Sequence, residues 1–377
     1  MKLLVVNMTL DPRTGGGSAA RALQATRALA AQGVDCTIAT TAVGSLTQTQ
    51  LRGIRIVKLP SIGGRFRVSW TGFEALRTAV ADADILMLVN HWTIINVLAW
   101  RAAVRMGKPY VVCPAGALPP FGRSRLLKVI YNVLWGRRLI RNASAHIAIT
   151  SDEIEHYAHY GVPAGAVTII PNGIPHVPPG VGDTFRQQHR LGDAPIALFL
   201  GRLAPLKGPD LLIDAFARAA ADLPGWRLVI AGPDDGMLSQ LRTQVAAAGM
   251  TGRVTFTGFL ETAAKADALA AADLLVVPSR REAMSIVVLE AAAAARPVLI
   301  TDRCGIPDVA ESGGGWVVDA SVDGLVRGLS AAARDRDALR AMGAQWQRVA
   351  TGRFSWSHVA KLHLDLLSAV AARSGGR

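Results

Sequence analysis

Two glutamates eight positions apart, Glu282 and Glu290, lie in the stretch of this 377-residue sequence whose residue types best suit chemistry. The pattern predicts a strand, a loop, a helix over about Met284–Ala295 and a second strand, so Glu282 lies in the loop and Glu290 within the helix. The opening of such a helix presents free backbone N–H groups, which favour a bound anion. A carboxylate beside this opening and a second one further along suit a ligand with both phosphate and hydroxyl groups. Nucleotide sugars are ligands of that kind.

The sequence around Glu290 leaves two alternatives open for its carboxylate. A single glutamate on a helix commonly points to solvent. However, Val287, Val288, Leu289 and the alanines that follow make this helix apolar almost all round, which indicates packing on most sides. A carboxylate buried there requires a partner.

Further polar residues follow other predicted strands, at the point where each strand ends. Arg202 and Lys207 come after the apolar run Ile196–Leu200, while Gly232 and Asp302 follow two later strands. Open α/β sheets bind ligands at the carboxyl ends of their strands. We therefore expect these residues to line one ligand site.

Strands and helices alternate through both halves of the chain, which predicts an α/β protein with two Rossmann-like, doubly wound domains facing each other across a cleft. We expect the first domain at residues 1–175 and the second at 190–354, separated by the Pro- and Gly-rich run 171–182. Glycines 15–17 precede a helix predicted from about Ala19 and would let the backbone approach a ligand closely. They do not form G-x-G-x-x-G, which counts against a dinucleotide site.

The net charge of +13 is concentrated in the first half of the chain. Residues 1–180 hold 19 Lys or Arg against 8 Asp or Glu, whereas residues 181–377 hold 22 against 20. This asymmetry suggests an anionic partner, with compositional drift as the open alternative. Since no RNA- or DNA-reading motif accompanies the charge, we predict no nucleic-acid partner.

Cysteine spacing and hydropathy predict a cytoplasmic protein. Cys36, Cys113 and Cys304 are far apart and form neither a metal motif nor a disulfide framework, which fits a reducing compartment. The N-terminal apolar run is too short for a signal peptide and is better interpreted as a first strand. The longest uncharged run, Ile85 to Trp100, spans roughly 16 residues and is short of a membrane span.

A basic, apolar helix is predicted at about 123–141, where Arg and Lys alternate with Leu, Ile, Val and Trp at helical spacing. One interpretation is that it lies on an anionic membrane surface, peripheral to the inner face of the plasma membrane. The alternative is a core-packing stripe with charged flanks. Residues 64–70 form a second basic and aromatic patch.

The second half of the chain resembles the retaining nucleotide-sugar glycosyltransferases of family 4, which have the two-domain GT-B fold. The matching segments are G-R-L-A-P-L-K-G (201–208), L-V-I-A-G-P-D-D-G (228–236), V-T-F-T-G-F-L (254–260), E-A-M-S-I-V-V-L-E (282–290) and P-V-L-I-T-D-R-C-G-I-P-D (297–308). The fourth is the family's E-x7-E signature, in register with its flanks. The first half is similar more loosely, at the glycines 15–17, P-A-G-A-L (114–118) and P-N-G (171–173). The tail F-S-W-S-H-V-A is similar to the family's final helix, which implies that residues 355–377 cross back onto the first domain.

The resemblance implies a role for each matched residue. It assigns Arg202 and Lys207 to the donor diphosphate and Glu290 to the ribose hydroxyls. Glu282 would contact the transferred sugar and steady positive charge at its anomeric carbon. The other implied donor contacts are Gly16 and Gly17 at the phosphates, Phe259 and Leu260 at the base, Gly232 beyond its strand, and the amides of Ala283, Met284, Ser285 and Ile286 at the sugar. Two fixed cations and helix amides could neutralise the leaving group, so no metal and no cofactor are expected.

Three positions qualify these implications. Many family members have a histidine in place of Ala115, and its role could pass to a backbone group, pass to His91, or be lost. The alternative for His91 is a packed residue at the start of a helix. Ala283 replaces a common glycine, which is a mild change if its φ stays negative. The D-x-D at residues 82–84 precedes a strand and lies at the wrong edge of the sheet for a metal site, so we interpret it as a solvated connection.

The sequence thus predicts a retaining, metal-independent glycosyltransferase that moves a sugar from a UDP- or GDP-sugar to a saccharide or lipid-linked acceptor. Surface polysaccharide or glycolipid biosynthesis is the expected setting. An epimerase of nucleotide sugars on the same fold is one alternative. The other is a nucleotide-sugar-binding protein with impaired catalysis, which the missing histidine at Ala115 suggests.

Overall fold

The computed structural model describes residues 1–44, 46–60, 72–120 and 124–375. The chain divides into two compact units. The first contains Met1–Gly173 together with the C-terminal segment that begins at Trp356, and the second is Ile174–Ser355. Residues 64–70 and Arg123, which belong to the predicted basic patches, lie outside the described residues.

The first unit is built on a seven-stranded parallel sheet with the order β3-β2-β1-β4-β5-β6-β7. Its strands are β1 (Lys2–Val6), β2 (Asp35–Thr40), β3 (Ile54–Lys58), β4 (Ile85–Val89), β5 (Tyr110–Cys113), β6 (Ala145–Ala148) and β7 (Val167–Ile169). Its helices before the second unit are α1 (Pro12–Ala31), α2 (Phe73–Asp82), α3 (Ile94–Arg105), α4 (Arg125–Tyr131), α5 (Arg137–Arg141) and α6 (Asp152–Ala158).

The second unit has a six-stranded parallel sheet with the order β10-β9-β8-β11-β12-β13. Its strands are β8 (Ile196–Leu200), β9 (Arg227–Ala231), β10 (Val254–Gly258), β11 (Leu274–Val277), β12 (Val298–Thr301) and β13 (Gly315–Val318). Its helices are α7 (Gly182–Gln188), α8 (Pro209–Arg218), α9 (Leu238–Ala247), α10 (Thr262–Ala271), α11 (Ile286–Ala293), α12 (Asp308–Glu311), α13 (Val322–Arg334) and α14 (Arg336–Phe354).

Continuous apolar runs form the central strands of both sheets. All five residues of β4 and all five of β8 are buried, as parallel strands covered by helices on both faces require. In the second unit the strand order reverses between β8 and β11. This is the topological switch point, where an open α/β sheet leaves a crevice at the carboxyl ends of its strands.

The last helix, α15 (Trp356–Gly375), packs against α1 in the first unit. The Gln32 side-chain amide donates a hydrogen bond to the Ser357 carbonyl at 3.0 Å, close to where α15 begins. The preceding helix α14 stays with the second unit, where the indole N–H of the buried Trp346 donates to the Val288 carbonyl at 3.0 Å.

Several element boundaries differ from the sequence prediction for local reasons. The first helix starts at Pro12 rather than Ala19, and Gly16, with φ 52 and ψ −140, interrupts it. The predicted helix over 123–141 is divided by a π-helical segment, Asn132–Gly136. The short helices α7 and α12 were not predicted, because α7 has only seven residues directly after a run rich in Pro and Gly, and α12 has only four.

Candidate functional site

The loops that follow β8 and β11 meet at the switch point of the second unit. There the Lys207 ammonium lies 2.9 Å from the Glu282 carboxylate, whose side chain is only 9% exposed. The Ser279 hydroxyl donates a hydrogen bond to the same carboxylate at 2.7 Å. Lys207 and Glu282 are 75 positions apart in the sequence, which assigned both to one site, and the structure brings them into contact.

A second ion pair fixes the geometry of these loops. The Arg280 guanidinium donates to both carboxylate oxygens of Asp210, at 2.8 and 2.6 Å, and its backbone N–H donates to the Leu206 carbonyl at 2.9 Å. Burial works against ionisation of Asp210, but the hydrogen bonds and charge of Arg280 lower its pKa overall. Gly208 has φ 66, and a Cβ there would lie 2.1 Å from the Pro278 carbonyl oxygen. The close approach of the two loops thus requires glycine.

Glu290 is buried on α11, so the alternative that it points to solvent is wrong. Its side chain is 8% exposed, and one oxygen lies 2.5 Å from the ammonium of Lys265 on α10. The other oxygen, Oε2, is buried and has no hydrogen-bond partner in the described part of the chain. Sequence reasoning missed Lys265. The available signal was that it is the single basic residue in the sequence of α10.

Arg202 lies in the same crevice region, after β8, but its contact is with the loop after β9. Its guanidinium donates to Asp235 at 3.2 Å, and both side chains are exposed. Gly232, which follows β9 and has φ 151, allows the two loops to approach, since a Cβ there would lie 1.7 Å from the Gly201 carbonyl oxygen. No hydrogen bond or ion pair within the described residues joins Arg202 to Lys207.

Between Glu282 and α11, one of the backbone amides predicted to face a ligand donates a hydrogen bond within the protein. The Ser285 amide donates to the Cys304 carbonyl at 3.1 Å, so the expectation that all amides from Ala283 to Ile286 face a ligand needs correction at Ser285. The Ser285 hydroxyl is buried without a partner in the described part of the molecule. Ala283 is not among the positive-φ residues, so its replacement of glycine creates no backbone strain. Met284 is buried.

The remaining predicted donor contacts lie on separate elements. Phe259 and Leu260 follow β10, and the Phe259 ring is 48% exposed. Gly16 and Gly17 belong to α1 of the first unit.

In the first unit, the loop that contains Ala115 is held by a buried carboxylate that the sequence did not reveal. Ala115 has φ 50, and the Gly116 amide donates to Glu153 on α6. The second Glu153 oxygen accepts from the Ile149 amide at 2.7 Å. Burial raises the pKa of Glu153, while the two amides and Arg21 oppose that shift.

His91 is a packed residue. It is fully buried among Trp92, Tyr131 and Tyr160, and its Nε2 lies 3.1 Å from the Asn132 side-chain oxygen. Burial lowers the pKa of His91 to about 4, so the imidazole is neutral at pH 7. His91 is therefore not exposed to a ligand and does not replace the histidine that many family members have at position 115.

Within the described residues, no group of three or more His, Cys, Asp or Glu side chains could hold a metal ion. The two aspartates at 82 and 84 contact residues of β1 and β3. Asp82 pairs with Lys2 at 2.6 Å and with Arg55 at 3.2 Å, and Asp84 accepts from the Lys2 amide. Both aspartates are exposed and lie just before β4, where the sequence places them.

Comparison with known proteins first defines the class. The chain is similar to the crystal structure of Anabaena HepE in complex with UDP and glucose, with a TM-score of 0.80 and 21% identity, covering 98% of this chain and 100% of that chain. The fold is therefore GT-B, with two Rossmann-like domains. The family model "Glycosyl transferase 4-like domain" matches residues 16–173, and "Glycosyl transferases group 1" matches residues 182–348.

Two curated relatives agree with this class. A D-inositol 3-phosphate glycosyltransferase from Xylanimonas cellulosilytica is 26% identical over 97% of this chain and 95% of its own length. A GDP-mannose-dependent alpha-(1-6)-phosphatidylinositol monomannoside mannosyltransferase from Mycobacterium tuberculosis is 31% identical over 64% of this chain and 66% of its own length. The chain belongs to the family 4 glycosyltransferases, and it is a glycosyltransferase.

Proposed function

We propose that this glycosyltransferase transfers a sugar from a UDP- or GDP-sugar to an acceptor hydroxyl, with retention of anomeric configuration and without a metal ion. The observation that carries this proposal is the contact of Lys207 with Glu282 at the switch point of the second unit, 2.9 Å apart. A cation and a carboxylate at this position suit the two ends of a nucleotide sugar, since one end carries negative charge and the other develops positive charge.

Lys207 and the opening of α11 would stabilise the departing diphosphate. Negative charge grows on the phosphate oxygen as its bond to the anomeric carbon breaks, and a fixed cation with helix amides favours that charge. The amides of Ala283 and Ile286, which have no acceptor among the described residues, are available for this purpose. Arg202, exposed on the neighbouring loop, supplies a second cation when its contact with Asp235 opens.

Glu282 would act on the sugar and Glu290 on the ribose. In our proposal the acceptor oxygen attacks the anomeric carbon from the face that the phosphate leaves. Its proton passes to the departing phosphate oxygen, so the protein needs no nucleophile. Glu282 steadies the positive charge at the anomeric carbon during this exchange. Glu290, with one oxygen held by Lys265, would accept a hydrogen bond from a ribose hydroxyl on its second oxygen, which is buried and has no partner among the described residues.

The names of similar proteins support the donor and acceptor classes. HepE was crystallised with UDP and glucose, and the mannosyltransferase relative is named for GDP-mannose. Both curated relatives are named for inositol-containing acceptors. We infer that the acceptor of this protein is a saccharide or a lipid-linked sugar in surface polysaccharide or glycolipid biosynthesis.

We further propose that helix α4, the π-helical segment and α5 place the first unit on an anionic membrane surface. Six large apolar side chains here are exposed, namely Leu126, Leu127, Val129, Ile130, Val133 and Leu134. The opposite face holds the buried Tyr131, so the apolar stripe points outward and the core-packing alternative does not account for it.

Charge supports the choice of a bilayer as the partner for this surface. The sequence contains no Asp or Glu between Asp84 and Asp152, whereas nine Lys or Arg lie in that interval. Apolar side chains enter the headgroup region while flanking cations attract anionic lipids. None of the helices among the described residues has the length and hydropathy needed to cross a membrane. We propose a cytoplasmic protein that binds the inner face of the plasma membrane peripherally.

The test combines a thermal-shift screen of UDP- and GDP-sugars with analysis of the products. A ligand that binds only the folded state raises the unfolding temperature. Transfer to an added acceptor with retained configuration, undiminished by a chelator, is the expected result. An altered sugar nucleotide formed without acceptor would instead indicate an epimerase, which the comparisons do not favour. Binding without donor hydrolysis or transfer would indicate a catalytically impaired binding protein.

A further inference from the structure

A basic cavity lies at the edge of the second unit's sheet that is opposite to the proposed donor site. It has a volume of about 610 Å³, which is in the range of small-molecule sites. Asp273 and Arg296, which line it, come immediately before β11 and β12, whereas Glu282 follows the carboxyl end of β11. The charged residues that line it are Arg186, Asp273, Arg296, Arg336, Asp337 and Arg340.

Of the two aspartates that line the cavity, Asp273 is the one that is partly buried, and both of its oxygens accept hydrogen bonds from arginines. Arg336 donates to its Oδ1 at 3.1 and 3.0 Å, while Arg186 and the Ile196 amide donate to its Oδ2 at 3.4 and 2.8 Å. Arg186 also donates to backbone carbonyls, including that of Ala271 at 2.7 Å. These two arginines therefore act as structural partners of Asp273.

The other two arginines pair with no carboxylate among the described residues. Arg296 donates to the Ala272 carbonyl at 3.0 Å, but its Nε is buried without an acceptor in the described part of the chain. Burial lowers the pKa of Arg296, and the charges of Arg340 and Arg186 add repulsion that Asp273 opposes. Arg340 is exposed and makes no ion pair within the described residues. Asp337 is exposed on the rim, and with four arginines against two aspartates the lining stays positive.

The direction of α14 adds to this positive potential. The helix begins at Arg336 and has 19 residues, and its first turn contributes residues to the lining of the cavity. The Asp335 side chain caps the Ala338 amide at 3.0 Å. Because the Asp335 carboxylate offsets part of the helix dipole, the guanidinium groups of Arg296 and Arg340 supply most of the positive charge that favours a multiply charged anion.

We propose that this cavity binds a small phosphorylated molecule through Arg296 and Arg340, at a site separate from the donor site. A phosphate group has the charge and the paired oxygens that guanidinium forks bind. A bound phosphate would offset the charge repulsion between Arg296 and Arg340. The proposal is independent of the proposed transferase chemistry.

Calorimetric titration of the full chain with inorganic pyrophosphate tests this proposal. Arg340→Gln removes the charge of an exposed side chain, so the variant should fold. We expect pyrophosphate to bind this variant about tenfold more weakly than it binds the wild type. Arg242→Gln, at an exposed arginine of α9 outside the cavity, is the matched control and should bind as wild type does. Because pyrophosphate could also occupy the donor site, proteins with and without Arg340→Gln are also compared in a Lys207→Gln background. The loss of pyrophosphate affinity caused by Arg340→Gln should be the same there.

Equal affinities of the wild type and Arg340→Gln would overturn the proposal. So would equal thermal stabilisation by pyrophosphate and by sodium chloride at matched ionic strength, since that indicates non-specific screening. If Lys207→Gln loses nucleotide binding but retains the pyrophosphate binding that depends on Arg340, the two sites are distinct. Absence of nucleotide binding in the wild type would count against the proposed function and not against this cavity.

Discussion

The Lys265 ammonium lies 2.5 Å from one oxygen of the Glu290 carboxylate, whose other oxygen is buried without a partner in the described part of the protein. The lysine therefore supplies the counter-charge of a carboxylate whose side chain is only 8% exposed. In our proposal, the other oxygen accepts a hydrogen bond from the ribose of the donor. Substitution of Lys265 should therefore change the stability of the protein, whereas substitution of Glu290 should change nucleotide binding.

Replacement of Glu290 by glutamine should weaken UDP or GDP binding about tenfold, because a ribose hydroxyl loses a charged acceptor. Isothermal titration with the nucleoside diphosphate measures this. Lys265→Met should lower the free energy of unfolding by about 2 kcal/mol, since it leaves a buried carboxylate unpaired. Adding Glu290→Gln to Lys265→Met should restore much of that stability. Unchanged nucleotide affinity in Glu290→Gln would contradict the ribose assignment.

The contact between Lys207 and Glu282 predicts different kinetic effects for the two residues. Lys207→Met should weaken binding of the nucleoside diphosphate about tenfold or more, because the diphosphate loses a fixed cation. Glu282→Gln should leave that affinity within about threefold and lower kcat by at least about a hundredfold. Separate measurements of kcat and of the dissociation constant of UDP or GDP distinguish the two. Equal loss of nucleotide affinity in both variants would show that Glu282 does not act at the sugar.

The exposed apolar stripe predicts salt-dependent binding to anionic vesicles. Leu126 and Val133 are 72% and 71% exposed, so the double change to serine should preserve stability and reduce vesicle binding about tenfold or more. The control is Val181→Ser, at a residue of the second unit that is 59% exposed. Co-sedimentation with vesicles of neutral and of anionic lipid measures the effect. Undiminished binding of the double variant would exclude this face as the contact surface.

The buried His91 predicts a loss of stability on mild acidification. Its pKa in the folded protein is about 4, below the usual 6.5, because burial disfavours the charged imidazole. The contribution is therefore present above about pH 6.5 and is lost as the pH falls toward 4, where the unfolded chain binds the proton first. The difference amounts to about 3 kcal/mol.

Denaturant unfolding at pH 7 and pH 5 measures this contribution. His91→Gln should reduce the pH dependence between these values, whatever its effect on absolute stability. His176→Gln, at an exposed histidine, should keep the wild-type slope. If both variants retain that slope, the acid sensitivity has another origin, and the buried His363, whose pKa burial lowers to about 3, becomes the candidate.

Local sequence was sufficient to predict the elements whose pattern is self-contained. The bounds of β8, α10 and β11 match the predicted ones, since a continuous apolar run or a periodic helical stretch bounded by polar residues specifies its own ends. The alternation of these elements also predicted two doubly wound sheets, because parallel strands require crossovers and helices on both faces. The E-x7-E spacing likewise placed Glu282 before the helix and Glu290 within it.

Only the tertiary structure decided which charges meet. Lys265 and Glu290 are 25 residues apart on different helices, and the Lys207–Glu282 contact depends on β8 lying beside β11 at the switch point. The outward direction of the apolar face of α4 and the unpaired charges of Arg296 and Arg340 were equally hidden. Sequence periodicity indicates which residues share a face of an element. It does not indicate what that face packs against, because packing partners come from segments far apart in the chain.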